Sequence, residues 1–169
     1  MRTLVNGLHR AVESSDSAKD LMPQIQVVEQ TAESIARQMR ALLLELRPPE
    51  LTNLDLAGAL AELVNAYSTR VGLAVNTDIS PLRLSRPAEQ ALLRIAQEAL
   101  NNAARHANAT AIQLELTQRE EGIRLTIADN GQGFTPEQIA RLYGLGLHSM
   151  QARAREIGGV FVLDTAPGR

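Results

Sequence analysis

The sequence predicts an α+β fold in which an N-terminal helical hairpin precedes helices that pack on one face of a mixed β-sheet. Three patterns predict it: a heptad repeat in residues 25–46, a long amphipathic segment from Pro87 to about His106, and two alternating apolar segments within residues 112–127. Helices on one face of a mixed or antiparallel sheet form an α/β sandwich.

Composition restricts the function. The chain has 169 residues, 44% hydrophobic but only 2% aromatic, so its core must be built from aliphatic side chains. A net charge of −2 gives no electrostatic footprint for nucleic acid. The sequence contains no cysteine, which excludes disulfides and cysteine-based sites. No apolar run approaches the roughly 18 residues of a membrane span, so we expect a cytoplasmic region that meets a membrane only through segments outside this sequence.

The N-terminal region predicts two helices. Leu4, Leu8 and Val12 mark a short amphipathic one, and a second follows Pro23. Its apolar residues alternate spacings of three and four, as in a coiled coil; they are Ile25, Val28, Ala32, Ile35, Met39, Leu42 and Leu46. Such a hairpin cannot bury this seam alone, so we expect it to form half of a dimeric four-helix bundle. The alternative is packing on the chain's own globular domain.

Arg47-Pro-Pro49 ends that helix, because proline removes a donor and restricts the residue before it. We therefore predict a helical domain over residues 1–49 and a second domain over residues 50–169.

In the second domain, four apolar positions predict a helix closed by Gly72; they are Leu56, Leu60, Leu63 and Tyr67. A strand is expected from Leu73 to Ile79, stopping at Pro81.

A β-hairpin is expected next, from Ile112 to Leu116 and from Ile123 to Ile127 around the Glu120-Glu-Gly122 turn. Thr135-Pro-Glu-Gln138 has the form of a capping box at a helix start. A last helix, ended by Gly158-Gly159, and a strand from Val160 to Leu163 complete the domain. The apolar positions of that helix are Leu147, Met150, Ala154 and Ile157.

The first chemical motif is the segment from Glu98 to His106, inside the long helix. One stripe is apolar and is expected to pack on the sheet; it contains Leu92, Ile95, Ala96, Ala99 and Ala103. Glu98, Asn102 and Arg105 share a different stripe. A carboxylate, an amide oxygen and a cation in one row suit a hydrated Mg²⁺ and the phosphates that it binds. The alternative is an ordinary solvated helix face.

Two glycine motifs follow. Asp129-Asn-Gly-Gln-Gly133 ends a predicted strand, where an aspartate can accept a hydrogen bond from an exocyclic amine such as adenine N6; taken alone, it also reads as a common turn. Gly144-Leu-Gly-Leu147 precedes a helix, whose free N–H groups suit phosphate. Alone, that second motif is weak.

The order of these motifs, followed by Pro167-Gly168, resembles the N, G1, G2 and G3 boxes of the GHKL ATPase superfamily, which has the Bergerat fold. The segments Glu98–Ala107 and Leu46–Leu51 look like those of sensor histidine kinases of the nitrate-sensor subfamily. The resemblance covers nearly the whole chain. It implies an ATP-dependent histidine kinase that forms a homodimer through the hairpin and passes the phosphoryl group to a response-regulator receiver domain.

Residue roles follow from the resemblance. Asn102 would coordinate Mg²⁺, with Glu98 beside it as a catalytic residue that polarises a water or the shell of the ion. Arg105 and His106 would face the phosphates of ATP. Asp129 would read the adenine. The glycines and the leucine would form the floor of the site and the hinge and end of the nucleotide lid; they are Gly131, Gly133, Gly144, Gly146 and Leu147.

Both ends depart from the family pattern. The only early histidine, His9, is followed by Arg10 rather than by an acidic residue, so we expect the phosphoacceptor to lie upstream of residue 1. The family also has Gly-Thr and a final strand after Pro167-Gly168, and the lid, Phe134–Tyr143, is short. Loss of an edge strand predicts marginal stability.

Two other functions fit the same residues. One is a non-catalytic scaffold that dimerises and binds nucleotide. The other is a different GHKL enzyme, such as an anti-sigma serine kinase, a topoisomerase or a mismatch-repair ATPase. The heptad hairpin before the nucleotide domain argues against this second group.

Overall fold

A computed structural model describes residues 18–46, 54–133 and 145–165 of the chain. The chain divides into two compact units, Met1–Met39 and Arg40–Arg169, and each is treated by itself. Along the ranges that the structure describes, no helix is both long and apolar enough to cross a bilayer.

Helix α1 spans Ala18–Leu46, a length of 29 residues. Its described part reaches Leu46, and Arg47-Pro-Pro49, where the sequence predicts its end, lies outside the described residues; the helix already includes the five residues before Pro23, so the predicted start at Pro23 is wrong. Pro23 lies near the start of the helix, so its missing N–H removes one hydrogen bond close to the end and does not divide the helix. The shorter helix expected around Leu4–Val12 lies outside the described residues.

The predicted heptad seam carries exposed apolar side chains on α1. The exposed fractions of Ile25, Ile35 and Met39 are 38%, 38% and 62%. Val28, between them on the same stripe, is half-buried. The helix therefore presents an apolar stripe at its surface.

In the second unit, helix α2 spans Leu56–Ala66 and continues as one π-helical turn, Tyr67–Val71. Asp55 caps its N-terminus, since the carboxylate Oδ1 accepts a hydrogen bond of 2.8 Å from the Gly58 amide. Gly72 ends the turn with a φ of 78°, a left-handed conformation that favours glycine. The predicted helix and its closing glycine are both present.

The described strands form a three-stranded mixed sheet in the order β1, β2, β3, with bounds Ala74–Ile79, Ala111–Arg119 and Gly122–Asp129. β1 runs parallel to β2, so the two need a crossover, which contains helix α3, Arg86–Arg105. β2 and β3 form the predicted antiparallel hairpin, in which only Glu120 and Glu121 separate the paired residues Arg119 and Gly122.

The core is aliphatic apart from Tyr67, in line with the composition. Side chains of α2, α3 and β2 interlock in one cluster that includes Leu56, Leu60, Leu63, Leu93, Ala96, Leu100, Ile112, Leu114 and Leu116. The predicted buried stripe of α3 is partly wrong, because Leu92, Ile95 and Ala99 are only half-buried whereas Leu93 and Leu100 are buried. Helix α3 contacts α2 and the last helix as well as the sheet, and its buried face is centred on these two large leucines.

Helix α4 spans Leu145–Glu156 and buries Met150 and Ala154, as expected. It ends in a Schellman motif, in which Gly158 N donates to Arg155 O and Gly159 N donates to Ala154 O, at 3.0 and 2.8 Å. The capping box predicted at Thr135–Gln138 lies outside the described residues.

The strand predicted from Val160 to Leu163 is wrong. Residues 160–165 form no strand, and Val160 and Val162 are 88% and 80% exposed. Alternating apolar residues form a strand only where a neighbouring strand accepts and donates their hydrogen bonds. None of β1–β3 pairs with this segment.

We expect Asp55→Ala to lower the free energy of unfolding by about 1 kcal/mol, because the first turn of α2 loses the acceptor of the Gly58 amide. Thermal unfolding should then occur about 2–4 °C lower. Asp55→Asn is the matched control, since asparagine caps as well as aspartate. Equal losses in both variants would contradict the capping role.

Candidate functional site

The end of helix α3 carries four of the predicted site residues. Glu98, Asn102 and Arg105 are half-buried on the helix, and His106 is its exposed C-cap. The backbone turns away directly afterwards, since Asn102 O accepts from the His106 amide at 2.8 Å and from the Ala107 amide at 3.3 Å. The oxygen-bearing side chains of Glu98 and Asn102 lie one turn apart on one side of the helix.

Asp129 is the last residue of β3. Side chains alternate along a strand, so it shares the face of Ile127 and Leu125, and it lies opposite the buried Ile112 of β2. This is the face that the helices cover. Asp129 itself is exposed, and its Oδ1 accepts a hydrogen bond of 2.8 Å from the Gly131 amide.

The loop after β3 docks on the chain that leaves α3. Gln132 N donates to Ala107 O at 2.8 Å, and Gln132 Nε2 donates to His106 O at 2.9 Å. A Cβ placed on Gly131 would lie 2.5 Å from the Ala107 Cβ and 2.6 Å from Asp129 Oδ1, so only glycine fits this approach. Gly133 has a φ of 65°, which glycine adopts without strain. The segment Glu98–Ala107 and the loop Asp129–Gly133 are therefore in direct contact.

Asn130 and Gln132 are site residues that the sequence did not single out. Asn130 Oδ1 accepts from the amides of Thr110 and Ala111, both at 2.9 Å, and Asn130 Nδ2 donates to Thr110 Oγ1 at 2.9 Å. These bonds tie the loop to the start of β2. In the sequence, the only signal is that Asn before Gly is frequent in turns.

The third motif also meets α3. Gly146 lies in the first turn of α4, and a Cβ built on it would collide with Oε1 of Glu98 and lie 3.2 Å from the Glu98 Cδ. Leu147 is half-buried beside it. Gly144 and the lid, Phe134–Tyr143, lie outside the described residues. Within the described part, α3 is therefore the element at which all three motifs meet.

The donor set fits a magnesium ion bound together with phosphate. Among the residues that the structure describes, no group of three or more His, Cys, Asp or Glu side chains could hold a metal by itself. Glu98 and Asn102 offer a carboxylate and an amide oxygen. Mg²⁺ takes oxygen ligands, and it commonly uses one or two protein groups, several waters and the phosphates of a nucleotide.

Comparison with protein families gives one match that covers all three motifs. Residues 88–169 match the family described as histidine kinase-, DNA gyrase B-, and HSP90-like ATPase.

Curated relatives extend the similarity to most of the chain. The sensor histidine kinase LiaS of Bacillus subtilis is 36% identical over 154 residues, which are 91% of this chain and 42% of LiaS. The sensor protein VraS of Staphylococcus saprophyticus is 36% identical over 158 residues, 93% of this chain and 45% of VraS. The chain thus spans less than half the length of these relatives. Neither is a nitrate sensor by name, so the narrower expectation of that subfamily is not supported.

Solved structures share the fold. The histidine kinase domain of the blue-light activated histidine kinase EL346 from Erythrobacter litoralis aligns with a TM-score of 0.60 and 17% identity, over 99% of this chain and 87% of that one. The Acinetobacter baumannii histidine kinase AdeS aligns with a TM-score of 0.57 and 18% identity, over 98% and 89%. The expected α+β fold of GHKL type is therefore confirmed. Residues 88–169 are therefore similar to the histidine kinase-, DNA gyrase B- and HSP90-like ATPase family, and most of the chain is similar to the sensor histidine kinase LiaS and the sensor protein VraS.

Proposed function

We propose that this chain is the ATP-binding and dimerisation region of a two-component sensor histidine kinase. The whole protein would transfer the γ-phosphoryl group of ATP to a histidine and then to an aspartate of a response-regulator receiver domain. One observation carries the proposal: the loop Asp129–Gly133 contacts His106 and Ala107, directly after α3, and the first turn of α4 contacts Glu98 of the same helix. The names of the relatives LiaS and VraS support the same activity.

The polar half of α3, from Glu98 to the C-cap His106, would bind the phosphates. Asn102 and Glu98 would hold Mg²⁺ through their oxygens, and Arg105 and His106 would face the phosphate groups. When bound, Mg²⁺ would neutralise part of the negative charge of the phosphates. The residues of this chain would position the nucleotide, and positioning together with charge neutralisation is most of what phosphoryl transfer requires from a protein.

Asp129 would select the adenine. One carboxylate oxygen holds the Gly131 amide, and the other accepts no hydrogen bond from the described residues. It can therefore accept from the exocyclic amine of adenine, at a strand end on the helix-covered side of the sheet. Gly131 and Gly133 would form the floor of this pocket. The hinge and end of the lid would be formed by Gly144, Gly146 and Leu147.

The domain assignment remains part of the proposal: residues 1–49 would dimerise and residues 50–169 would bind nucleotide. The exposed stripe of α1 supports a homodimer, because Ile25, Ile35 and Met39 repeat at heptad positions and expose apolar surface. A second copy that supplies the same stripe would bury it in a symmetric four-helix bundle.

Asp129→Asn should weaken binding of Mg·ATP by about tenfold or more, because a hydrogen bond to a charged acceptor contributes about 1.5–3 kcal/mol. The asparagine Oδ1 keeps an acceptor for the Gly131 amide, while its amide nitrogen cannot accept from adenine. Isothermal titration with a non-hydrolysable ATP analogue measures the loss, and the preference over the GTP analogue should fall with it.

Asp78→Asn on the exposed side of β1 is the matched control for loss of one negative charge. Unchanged affinity in Asp129→Asn, or an equal loss in Asp78→Asn, would contradict the adenine role. Absence of any binding by the folded wild-type chain would contradict the proposed function itself.

Ile35→Asp should weaken dimerisation by about tenfold or more. Ile35 is 38% exposed in the single chain, and in the proposed dimer the new carboxylate would be buried in the seam without a partner. Sedimentation velocity over a range of protein concentrations measures this. Gln30→Asp, placed on the opposite side of α1, adds the same charge outside the seam. The seam has no role in dimerisation if the two variants behave alike or if the unmodified chain sediments as a monomer.

A further inference from the structure

The loop after β3 contains an asparagine that is followed directly by glycine, Asn130-Gly131. In such a pair the backbone nitrogen of the glycine can attack the side-chain carbonyl carbon of the asparagine, because glycine has no Cβ to hinder the approach. The asparagine then loses its amide nitrogen. This reactive pair lies in the loop that contacts residues 106–111, the segment that leads from α3 into β2.

Four hydrogen bonds join Asn130 to Thr110 and Ala111. The Asn130 amide donates to Ala111 O at 3.2 Å. Asn130 Oδ1 accepts from the amides of Thr110 and Ala111, and Asn130 Nδ2 donates to Thr110 Oγ1, each at 2.9 Å. Ring closure requires the side-chain amide to rotate toward its own backbone, so the three side-chain bonds must break first.

The attacking nitrogen is also held in place. The Gly131 amide donates to Asp129 Oδ1 at 2.8 Å, and Gly131 is buried. A Cβ at this position would lie 2.5 Å from the Ala107 Cβ, so the backbone of Gly131 is closely packed. These contacts leave the peptide bond between Asn130 and Gly131 little freedom to reorient, and ring closure depends on that freedom.

We propose that Asn130 is a deamidation site that reacts only when the loop Asp129–Gly133 separates from residues 106–111. Gly131 N then bonds to Asn130 Cγ as the Cγ–Nδ2 bond breaks, and the proton of Gly131 N leaves with the amide nitrogen as ammonia. Water opens the resulting succinimide at Cγ, which gives aspartate, or at the main-chain carbonyl carbon, which gives isoaspartate. The inference does not depend on the proposed nucleotide site.

Both products would weaken the docking of the loop. Aspartate has no Nδ2, so Thr110 Oγ1 loses its donor, and a second negative charge appears beside Asp129. Isoaspartate adds one carbon to the main chain directly before Gly131, where the packing on Ala107 is close. The reaction would therefore convert a transient separation of the loop into a permanent change.

The first test compares deamidation of the full chain in native buffer and in urea, at the same pH and temperature. Peptide mass spectrometry detects the mass gained when the side-chain NH₂ is replaced by OH. Asn6-Gly7 is the same pair outside the described residues and serves as the internal reference. Asn130 should react about as fast as Asn6 in urea, and at least about tenfold more slowly in native buffer than in urea, because opening must break several hydrogen bonds.

A pair of variants tests the hydrogen bonds directly. Thr110→Ala removes the acceptor of Asn130 Nδ2 and should speed deamidation of Asn130 by about fivefold in native buffer, the effect of one hydrogen bond. The rate at Asn6 should not change. Thr110→Ser keeps a hydroxyl group and is the matched control, so its rate at Asn130 should stay close to that of the unmodified chain.

The outcomes that overturn the proposal are distinct. Equal rates at Asn130 in native buffer and in urea would show that docking does not protect the pair, and no reaction at Asn130 in urea would show that it is not a modification site. Equal rates in Thr110→Ala and Thr110→Ser would remove the role of the side-chain bond. The comparison with urea uses only the unmodified chain, so it stands even if a variant fails to fold.

Discussion

The site depends on the docking of the loop after β3 onto the chain that leaves α3. Two hydrogen bonds from Gln132, to Ala107 O and His106 O, fix the loop, and Gly131 permits an approach that any side chain would block. Because the loop begins at Asp129, this docking also sets the distance between the carboxylate at the strand end and the polar half of the helix. The proposed contacts with adenine and with the phosphates would need this separation to be fixed.

Periodicity predicted the elements that local sequence determines. The β-hairpin and α2 need only alternation, helical spacing and turn residues, so both lie where expected. The prediction of a strand at Val160–Leu163 is wrong because an alternating apolar pattern cannot show whether a partner strand is present. The buried face of α3 differs from the predicted one for a related reason. The apolar positions of this helix are compatible with more than one buried stripe, and the packing of α2, α4 and the sheet around the helix selects the stripe that is buried.

Within the proposed site, the sequence indicates the motif residues but not the side chains that support them. Glu98, Asn102 and Asp129 have residue types and spacings that suit metal, phosphate and base. Asn130 contributes through bonds to Thr110, twenty residues away in sequence, and no local pattern indicates such a partner. The contact of Glu98 with Gly146 is likewise tertiary, since it joins two motifs that the sequence presents separately.

We propose that three separated segments act as one nucleotide site on α3. Hydrogen exchange of the backbone amides, measured with and without Mg·ADP, distinguishes such a site from three independent loops. We expect slower exchange in residues 98–107, 129–133 and 145–148 together when ADP binds, with little change in α2. Protection confined to one segment, or centred on α2, would contradict a site assembled at the end of α3.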